Sequence, residues 1–174
     1  MQALTGNNVY LRALEPEDLE FLYAVENDLS FWEVSSTETP YSKHVLRLYL
    51  ENAHLDIYEA KQLRLVIAES KSQKPIGLID LFDYNPKHKR AGVGILLIEG
   101  EQQKGYGSEA LKLLIEYSFR HLNIHQLFAN ITMDNEKSLN LFKKHNFIEV
   151  GVKKDWIFIE GKYKDEGLFQ LINV

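Results

Sequence analysis

The chain reads Gln102-Gln103-Lys104-Gly105-Tyr106-Gly107-Ser108 between a short apolar run and a long amphipathic segment, and this stretch says most about its architecture. Upstream, residues 93–98 are apolar almost without a break, which is typical of a strand buried on both faces. Downstream, apolar residues recur at helical spacing: Leu111, Leu114, Ile115, Phe119 and Leu122. A helix that begins after two glycines presents unpaired N–H groups and partial positive charge without side chains in the way. The stretch therefore predicts a phosphate-binding loop.

The remaining elements predict a central mixed sheet with helices on both faces. Further runs that suit strands lie at 65–68, 76–82, 127–132, 156–159 and 168–172. Helices are expected after Glu15-Pro16-Glu17-Asp18 and after Pro40. Between those two helices, residues 29–39 show no period and are expected to form a loop, a kind of segment that often carries function.

Composition places the chain among globular proteins, since 45% of its 174 residues are hydrophobic, and its length suits a single domain over 1–174. No apolar stretch is long enough to span a bilayer and the N-terminus lacks a signal pattern, so a cytoplasmic protein without a membrane partner is expected. The absence of cysteine excludes disulfides and cysteine catalysis. The net charge of −5 favours a cationic partner over nucleic acid. No metal is predicted, because no typical spacing relates the histidines His88, His121, His125 and His145.

A dinucleotide-binding fold is the strongest alternative for the glycine loop. Gly105-x-Gly107-x-x-Ala110 also satisfies that fingerprint, and Asp134 follows the next strand, where a ribose-binding acid would sit. However, residues 99–104 separate the strand from the first glycine. Only about 40 residues follow Asp134, too few for the further parallel units of such a sheet. An NAD(P)-dependent oxidoreductase is therefore the less favoured interpretation.

Two motifs resemble those of the GNAT superfamily of N-acetyltransferases. Gln102-x-x-Gly105-x-Gly107 resembles the family's pyrophosphate-binding motif, and residues 135–147 are similar to its later helix, N-x-x-S/A-x-x-x-Y-x-K-x-G-F. The opening residues 9–19 resemble its first strand and the entry to its first helix. The resemblance is closest to the branch that holds the spermidine and ribosomal-protein acetyltransferases. It implies an α/β (α+β) GNAT fold in one domain, with a mostly antiparallel twisted sheet.

The resemblance also implies where acetyl-CoA binds. Pantetheine is expected to run beside the main chain of the strand Ile95-Leu96-Leu97. The backbone groups of this strand are expected to be exposed where it splays from the strand at 127–132. An N–H near Leu97 is expected to stabilise the oxyanion. Asn135 resembles the asparagine that holds the pantetheine arm, and it is equally well explained as a helix N-cap. The resemblance assigns the diphosphate to the loop residues Gln102, Gln103, Lys104, Gly105, Tyr106, Gly107 and Ser108. The later helix adds Phe142 and Lys144 as cofactor-binding residues.

The chain departs from the family at two positions that matter for proton transfer. Phe142 stands where spermidine-type enzymes place a tyrosine that protonates the departing thiolate. Gly92 stands where many relatives carry a glutamate proposed to take the amine proton. Asn146 replaces a helix-ending glycine, which asparagine tolerates. Either water and other residues move these protons, or turnover is modest.

Two further groups of residues are candidates for the chemistry and for the acceptor. Asp80 and Asp83 are the candidates for base or ammonium anchor, although on a regular strand they face opposite sides and share a cleft only across a bulge. A capped turn or a surface salt bridge is the alternative for both. An acidic and aromatic rim is expected to bind the acceptor by charge and cation–π contact, unless its aromatics form a satellite core: Trp32, Glu33, Glu38 and Tyr41.

The sequence favours an acetyl-CoA-dependent N-acetyltransferase that acts by direct attack of a primary amine on the thioester. The expected acceptor is a polyamine, another small amine or a protein N-terminus. A CoA-binding module with little turnover is the alternative, because Phe142 and Gly92 remove the family's acid and base. The resemblance also implies a homodimer through the final strands.

Overall fold

The computed structural model describes residues 4–102 and 104–174 of the chain, which fold into the following strands and helices. The strands are β1 Val9–Ala13, β2 Leu63–Glu69, β3 Pro75–Asn85, β4 Arg90–Leu97, β5 Gln126–Thr132, β6 Ile148–Ile159 and β7 Lys162–Ile172. The helices are α1 Leu19–Glu26, α2 Leu29–Ser35, α3 Lys43–Glu51, α4 Ile57–Ala60, α5 Tyr106–Arg120 and α6 Glu136–Lys144, with a 3-10 turn at Pro16–Asp18 before α1.

The strands form one sheet in the order β1-β2-β3-β4-β5-β7-β6. Only β4 and β5 pair in parallel, and every other neighbouring pair is antiparallel. The predicted mixed, mostly antiparallel sheet is therefore confirmed. A dinucleotide-binding fold needs a largely parallel sheet, so that alternative is excluded.

The two central strands separate along most of their length. Paired residues join β4 to β5 only at Arg90 with Gln126, Ala91 with Leu127 and Gly92 with Phe128. Beyond Gly92, β4 continues to Leu97 and β5 to Thr132 without pairing to each other. The splay expected from the resemblance is confirmed, and it opens the backbone edge of β4.

The sheet carries an apolar cluster on each face, because alternate residues of a strand point to opposite sides. Leu65 and Ile79 belong to the larger cluster, which also contains Leu111 and Leu114 of α5. Val66 and Leu78, next to them in sequence, belong to the second cluster, packed with residues of α1 and α3 such as Leu22 and Leu46. Helices therefore cover both faces, as predicted, and each fully buried leucine contributes roughly 1.5–3 kcal/mol.

The prediction of an irregular loop at residues 29–39 is wrong for its first part. Residues Leu29–Ser35 form α2, which begins where the Asp28 side chain accepts a hydrogen bond from the Ser30 N–H (2.9 Å). The helix ends at Ser36, whose φ of 54° is left-handed. None of the residues of α2 is fully buried. A helix without a buried face needs no repeating apolar positions, so the sequence shows none of the helical period that marks longer helices.

Candidate functional site

The glycine loop leads into α5 as the sequence predicts. Gly105 is the residue before the helix, and its φ of 82° favours glycine. A Cβ on Gly107 would lie 3.3 Å from Leu97 Cδ1, so the glycine lets the first turn of α5 approach β4 closely. The N–H groups of this first turn have no carbonyl earlier in the helix to bind, and together with the helix dipole they favour an anion.

A cleft of about 520 Å³ lies in front of this turn; we call it the first cleft. It contains these predicted cofactor residues: Ile95, Leu96, Leu97, Gln102, Gly105, Gly107, Ser108, Asn135 and Lys144. Lys104 and Tyr106 do not line it, and Gln103 lies outside the described residues. Sequence reasoning missed further lining residues from α2 and α6: Ser30, Phe31, Val34, Lys137, Ser138, Asn140 and Leu141. Its size is typical of small-molecule sites.

Gln102 bridges the strand and the later helix across this cleft. Its Nε2 donates to the carbonyl of Leu97 (3.1 Å), and its Oε1 accepts from Lys137 Nζ (3.2 Å). The first residue of the motif therefore connects the end of β4 to α6.

The backbone of β4 presents polar groups towards the splay. The N–H of Ile98 donates to the carbonyl of Ile76 in β3 (2.9 Å). Because N–H directions alternate along an antiparallel strand, the N–H groups of Leu97 and Ile95 point away from β3. That side is where β5 has separated, and the Gln102 contact with the Leu97 carbonyl agrees with this direction.

A second cleft of about 410 Å³ continues from the first. The two share the lining residues Val34, Ile95, Asn135 and Ser138. A ligand that fills the first cleft can therefore reach into the second. The second cleft is lined further by residues that include Glu33, Phe82, Gly94, Phe142, Lys153, Trp156, Ile157 and Glu166.

Asn135 lies at the junction of the two clefts. Its side chain accepts a hydrogen bond from the Ser138 N–H (3.2 Å), so its role as the N-cap of α6 is confirmed. Its predicted contact with a cofactor remains a prediction, and its position at the junction is compatible with both roles.

Ion pairs line one wall of the second cleft. Lys153 Nζ lies 2.7 Å from Glu166 Oε1 and 4.6 Å from the centroid of the Trp156 ring. Glu33, another lining residue, lies 2.8 Å through Oε1 from Lys164 Nζ, which also lies 2.8 Å from Asp134 Oδ2; Lys164 and Asp134 do not themselves line the cleft. These hydrogen bonds, with Asp134 first and Glu33 next, raise the pKa of Lys164.

Sequence reasoning identified Glu33 but missed the other charged residues of this wall. Lys153, Trp156 and Glu166 belong to β6 and β7, which were predicted only as a pair of final strands. Glu166 pairs with Thr132 of the neighbouring strand β5. The alternation of side chains along β7 is the one sequence signal that would have pointed to Glu166.

Asp80 and Asp83 do not line either cleft. The Asp80 carboxylate accepts two hydrogen bonds from Arg64, from Nε at 2.9 Å and from the second terminal nitrogen at 3.0 Å. Arg64 also pairs with Glu26 at 2.6 Å. Burial of the Arg64 guanidinium lowers its pKa, but the negative charges of Asp80 and Glu26 have the larger combined effect, so the pKa of Arg64 is raised. Asp83 is exposed at a register shift with a φ of 48°, so the bulge exists without bringing the two carboxylates into a cleft.

Of the four predicted acceptor residues, the structure places Glu33 alone on a cleft wall. The Trp32 Nε1 donates to the carbonyl of Glu26 (3.0 Å), which fixes the ring against α1. The N–H of Tyr41 donates to the Asn27 side chain (2.8 Å), and Glu38 is exposed. These three residues therefore do not form a shared rim with Glu33.

The two departures from the family pattern have visible neighbours. A Cβ on Gly92 would overlap the ring of Phe82, which packs edge-on against Phe128 (5.8 Å between centroids). Phe142 is buried, packs edge-on against Phe147 (5.0 Å), and lines the second cleft instead of the first. Aromatic carbon thus occupies the places where the resemblance to the family implies a carboxylate and a phenol.

The described residues contain neither a membrane-spanning helix nor a cluster of metal-ligating side chains. No helix among them is long and apolar enough to cross a membrane. Within 4–102 and 104–174, no three or more acidic or histidine side chains are grouped as metal ligands.

Comparison with known proteins gives consistent matches. The family described as "Acetyltransferase (GNAT) domain" matches residues 8–148. The spermidine N(1)-acetyltransferase of Vibrio cholerae serotype O1 is 31% identical over 163 residues, which cover 92% of this chain and 90% of that protein. The crystal structure of a spermidine N-acetyltransferase from Vibrio cholerae in complex with CoA and spermine superposes with a TM-score of 0.86 at 27% identity, covering 96% of both chains. A dodecameric structure of the Vibrio cholerae enzyme gives a TM-score of 0.80 at 29% identity, covering 96% of this chain and 95% of that one.

Proposed function

The chain belongs to the acetyltransferase (GNAT) domain family, and from that premise we propose that it acetylates a polyamine or a related small amine. The broader activity, acetyl-CoA-dependent N-acetylation of an amine, follows from the family and its spermidine-acetylating relatives. The observation that carries the proposal is the splay of β4 from β5 directly in front of the first turn of α5.

Acetyl-CoA is proposed to bind along the first cleft. The N–H groups of Tyr106, Gly107 and Ser108 suit its diphosphate, because they belong to the first turn of α5 and have no earlier carbonyl in the helix to bind. The free edge of β4 suits the pantetheine amides, which would add to the sheet as a short strand. The lysines Lys137 and Lys144 line the same cleft and supply positive charge for phosphate groups.

The acetyl group is then proposed to lie at the junction of the clefts. A neutral primary amine from the second cleft attacks the thioester carbonyl carbon, and the N–H of Leu97 stabilises the oxyanion. The tetrahedral intermediate collapses as the C–S bond breaks, which yields the amide and the CoA thiolate. The amine loses one proton and the thiolate gains one. Phe142 has no proton to give, so we propose that water completes this exchange.

The predicted catalytic carboxylates Asp80 and Asp83 are not retained in this proposal. Asp80 is engaged by Arg64, and neither residue lines a cleft. Their structural alternatives, an ion pair for Asp80 and a surface turn for Asp83, agree better with their positions. Glu166 and Glu33, which do line the second cleft, are proposed as its acidic groups.

Thiol release tests the function directly. Purified protein with acetyl-CoA and a panel of amines should release free thiol with spermidine, with spermine or with a short diamine, and mass spectrometry should detect the acetylated product. Thiol release no faster than the hydrolysis blank for every amine would refute the proposal.

A CoA-binding module with little turnover is the alternative, favoured by Phe142 and Gly92. Phe142→Tyr separates the two functions, because a phenol on the wall of the second cleft supplies the missing acid. A catalyst should gain kcat by up to about 10²-fold, since one general acid contributes ~10²–10⁴-fold. The matched control Phe158→Tyr changes an exposed ring outside both clefts and should leave kcat unchanged. Acetyl-CoA binding without any gain in Phe142→Tyr would favour the module.

We also propose that the chain self-associates, as the dodecameric relative does. The predicted cytoplasmic location and the protein N-terminus as acceptor stay predictions.

A further inference from the structure

We infer that Glu166 and Trp156 form an ammonium subsite for the acceptor, and that Lys153 occupies this subsite as a tethered competitor. The inference rests on the proposed function and names the acceptor class: amines that carry a second ammonium group. One ammonium is held at Glu166 while the other amine, neutral, attacks the thioester.

The subsite already holds a primary ammonium. Lys153 Nζ lies 2.7 Å from Glu166 Oε1 and 4.6 Å from the centroid of the Trp156 ring. A carboxylate at hydrogen-bond distance together with an aromatic face is the arrangement that binds alkylammonium groups. All three residues line the second cleft, so the bound ammonium is part of the wall that faces an acceptor.

A register shift in β6 builds this arrangement. Lys153 pairs across the ladder with Glu166, and the regular pairing resumes only at Ile157. On a regular strand, Lys153 and Trp156 would point to opposite faces, because their separation is odd. The shift changes that alternation, and Asp155 within it has a φ of 49°. As a result, Lys153 and Trp156 meet on the same side of the sheet.

Burial differs between the two charges of the pair. The Glu166 side chain is 14% exposed, whereas the Lys153 side chain is 36% exposed. The desolvated carboxylate needs a cation, while the lysine can return to water at little cost, because ion pairs with an exposed partner contribute little. A substrate ammonium that replaces Lys153 restores the same two contacts. Replacing the Lys153 ammonium with a substrate ammonium therefore changes the free energy little. Lys153 weakens acceptor binding because it competes for the same contacts.

The chemistry of the reaction sets the acceptor class. The attacking amine must be neutral, whereas the group in the subsite must stay charged to pair with Glu166. A monoamine cannot satisfy both requirements at once. A diamine or polyamine can, since one nitrogen loses its proton while another remains an ammonium.

Lys153→Met tests the competitor. The KM for 1,4-diaminobutane and for spermidine should fall roughly three- to tenfold, the range of one released cation–π and carboxylate contact, while the KM for acetyl-CoA stays unchanged. The matched control is Lys154→Met, which removes the same charge one residue away. Lys154 pairs with Asp165 at 2.8 Å and lines neither cleft. Equal KM values in the two variants would overturn the competitor role.

Glu166→Gln tests the subsite. The ratio of kcat/KM for 1,4-diaminobutane to that for 1-aminobutane should fall about tenfold or more, because only the diamine uses the anchor. Glu149→Gln, on the exposed part of β6, is the control and should keep the wild-type ratio. In the Glu166→Gln background, Lys153→Met should bring no gain. An unchanged ratio in Glu166→Gln would refute the subsite.

Two measurements keep the test independent of folding and of turnover. Trp156→Leu changes an exposed ring, so it should fold and should raise the diamine KM. Calorimetry measures spermidine affinity without catalysis, and Lys153→Met should bind spermidine more tightly than Lys154→Met. Equal spermidine affinities would refute this inference, whereas absent thiol release with every amine would refute the proposed function.

Discussion

Gly92 has no space for a side chain, because the Phe82 ring lies over it. A Cβ would overlap three carbons of that ring, whereas the next glycine on the same face, Gly94, has its nearest atom in Phe82 at 4.0 Å. Phe82 is itself held by its edge-on contact with Phe128. The presence of glycine at position 92, instead of the glutamate implied by the resemblance, is therefore linked to the aromatic residue at position 82.

This pairing predicts a non-additive effect on stability. Gly92→Ala should lower the free energy of unfolding by about 1–3 kcal/mol, because it overpacks a filled space. In a Phe82→Leu background the same change should cost less, with a coupling of at least ~0.5 kcal/mol. Urea unfolding of the four proteins measures the coupling, and Gly94→Ala is the control that should not depend on Phe82. Strictly additive values would show that the ring does not set the identity of residue 92.

His145 connects the end of α6 to the first turn of α5. Its Nε2 lies 2.8 Å from Ser108 Oγ. Burial, followed by the positive charges of Lys144 and Lys112, lowers the pKa of His145. The folded protein therefore holds this imidazole neutral more firmly than the unfolded chain does, where its pKa is about 6.5.

The sign of this shift predicts an acid-sensitive contribution to stability. Above about pH 6.5 the imidazole is neutral in both states, and its contribution is fully present. As the pH falls below that value, the unfolded chain binds the proton first, and stability is lost until the folded pKa is passed. Urea midpoints between pH 8 and pH 5 should fall more for the wild type than for His145→Gln. Parallel curves for the two proteins would contradict the shift.

At the scale of elements, the parts of the site made by backbone could be predicted from sequence. The apolar run at 93–98, the two glycines and the following helical period were enough to place a strand, a loop and α5, because each is a local pattern. The side chains that β6 and β7 contribute to the second cleft could not be predicted. Lys153 and Trp156 meet only through the register shift of β6, which depends on pairing with β7 and leaves no period in the sequence. Likewise, α2 is too short and too exposed to show one.

Substitutions at two glycines of the same loop distinguish the effect of backbone strain from the effect of ligand contact. Gly100 and Gly105 have φ values of 85° and 82°, and a Cβ on either would meet no atom within 4 Å. Gly105 lines the first cleft, whereas Gly100 does not. Each substitution by alanine should therefore cost about 1 kcal/mol of folding free energy from the left-handed backbone.

Their effects on the ligand should differ. In Gly105→Ala the added methyl group and any adjustment of φ act where α5 begins, so calorimetry should show weaker acetyl-CoA binding by about tenfold or more. Gly100→Ala should bind acetyl-CoA as the wild type does. Similar losses of affinity in both variants would mean that loop strain, and not the cleft, controls binding.

At the scale of the whole molecule, the order of the sheet explains why one domain presents two connected clefts. The parallel neighbours β4 and β5 lie in the middle of the sheet, with antiparallel strands on either side. Each half is held by its own ladder, so the sheet can separate at its centre without losing its edges. The first cleft opens towards α5 and α6, and the second opens towards the β6–β7 hairpin.

That hairpin also leaves an exposed edge. β6 is the last strand of the sheet and carries exposed apolar side chains, including Ile148, Val150 and Phe158. An unpaired edge strand with apolar residues attracts another chain unless it is covered. The proposed self-association would cover it, and a partner there would also restrict the hairpin that contributes Lys153, Trp156 and Glu166 to the second cleft.

Val150→Asp tests whether β6 is the interface. Val150 lies in a register shift between Glu149 and Gly151 and has no paired residue on β7, so the substitution spares the ladder. Its side chain is 55% exposed, and Val45 of α3, at 47%, provides a matched control, Val45→Asp. In analytical ultracentrifugation the wild type and Val45→Asp should sediment as oligomers, and Val150→Asp should sediment as a 20.2 kDa monomer. Because dissociation frees the hairpin, Val150→Asp should also raise the KM for the amine more than the KM for acetyl-CoA. A monomeric wild type would refute the proposed self-association, whereas a Val150→Asp oligomer would place the contact elsewhere and separate the second cleft from assembly.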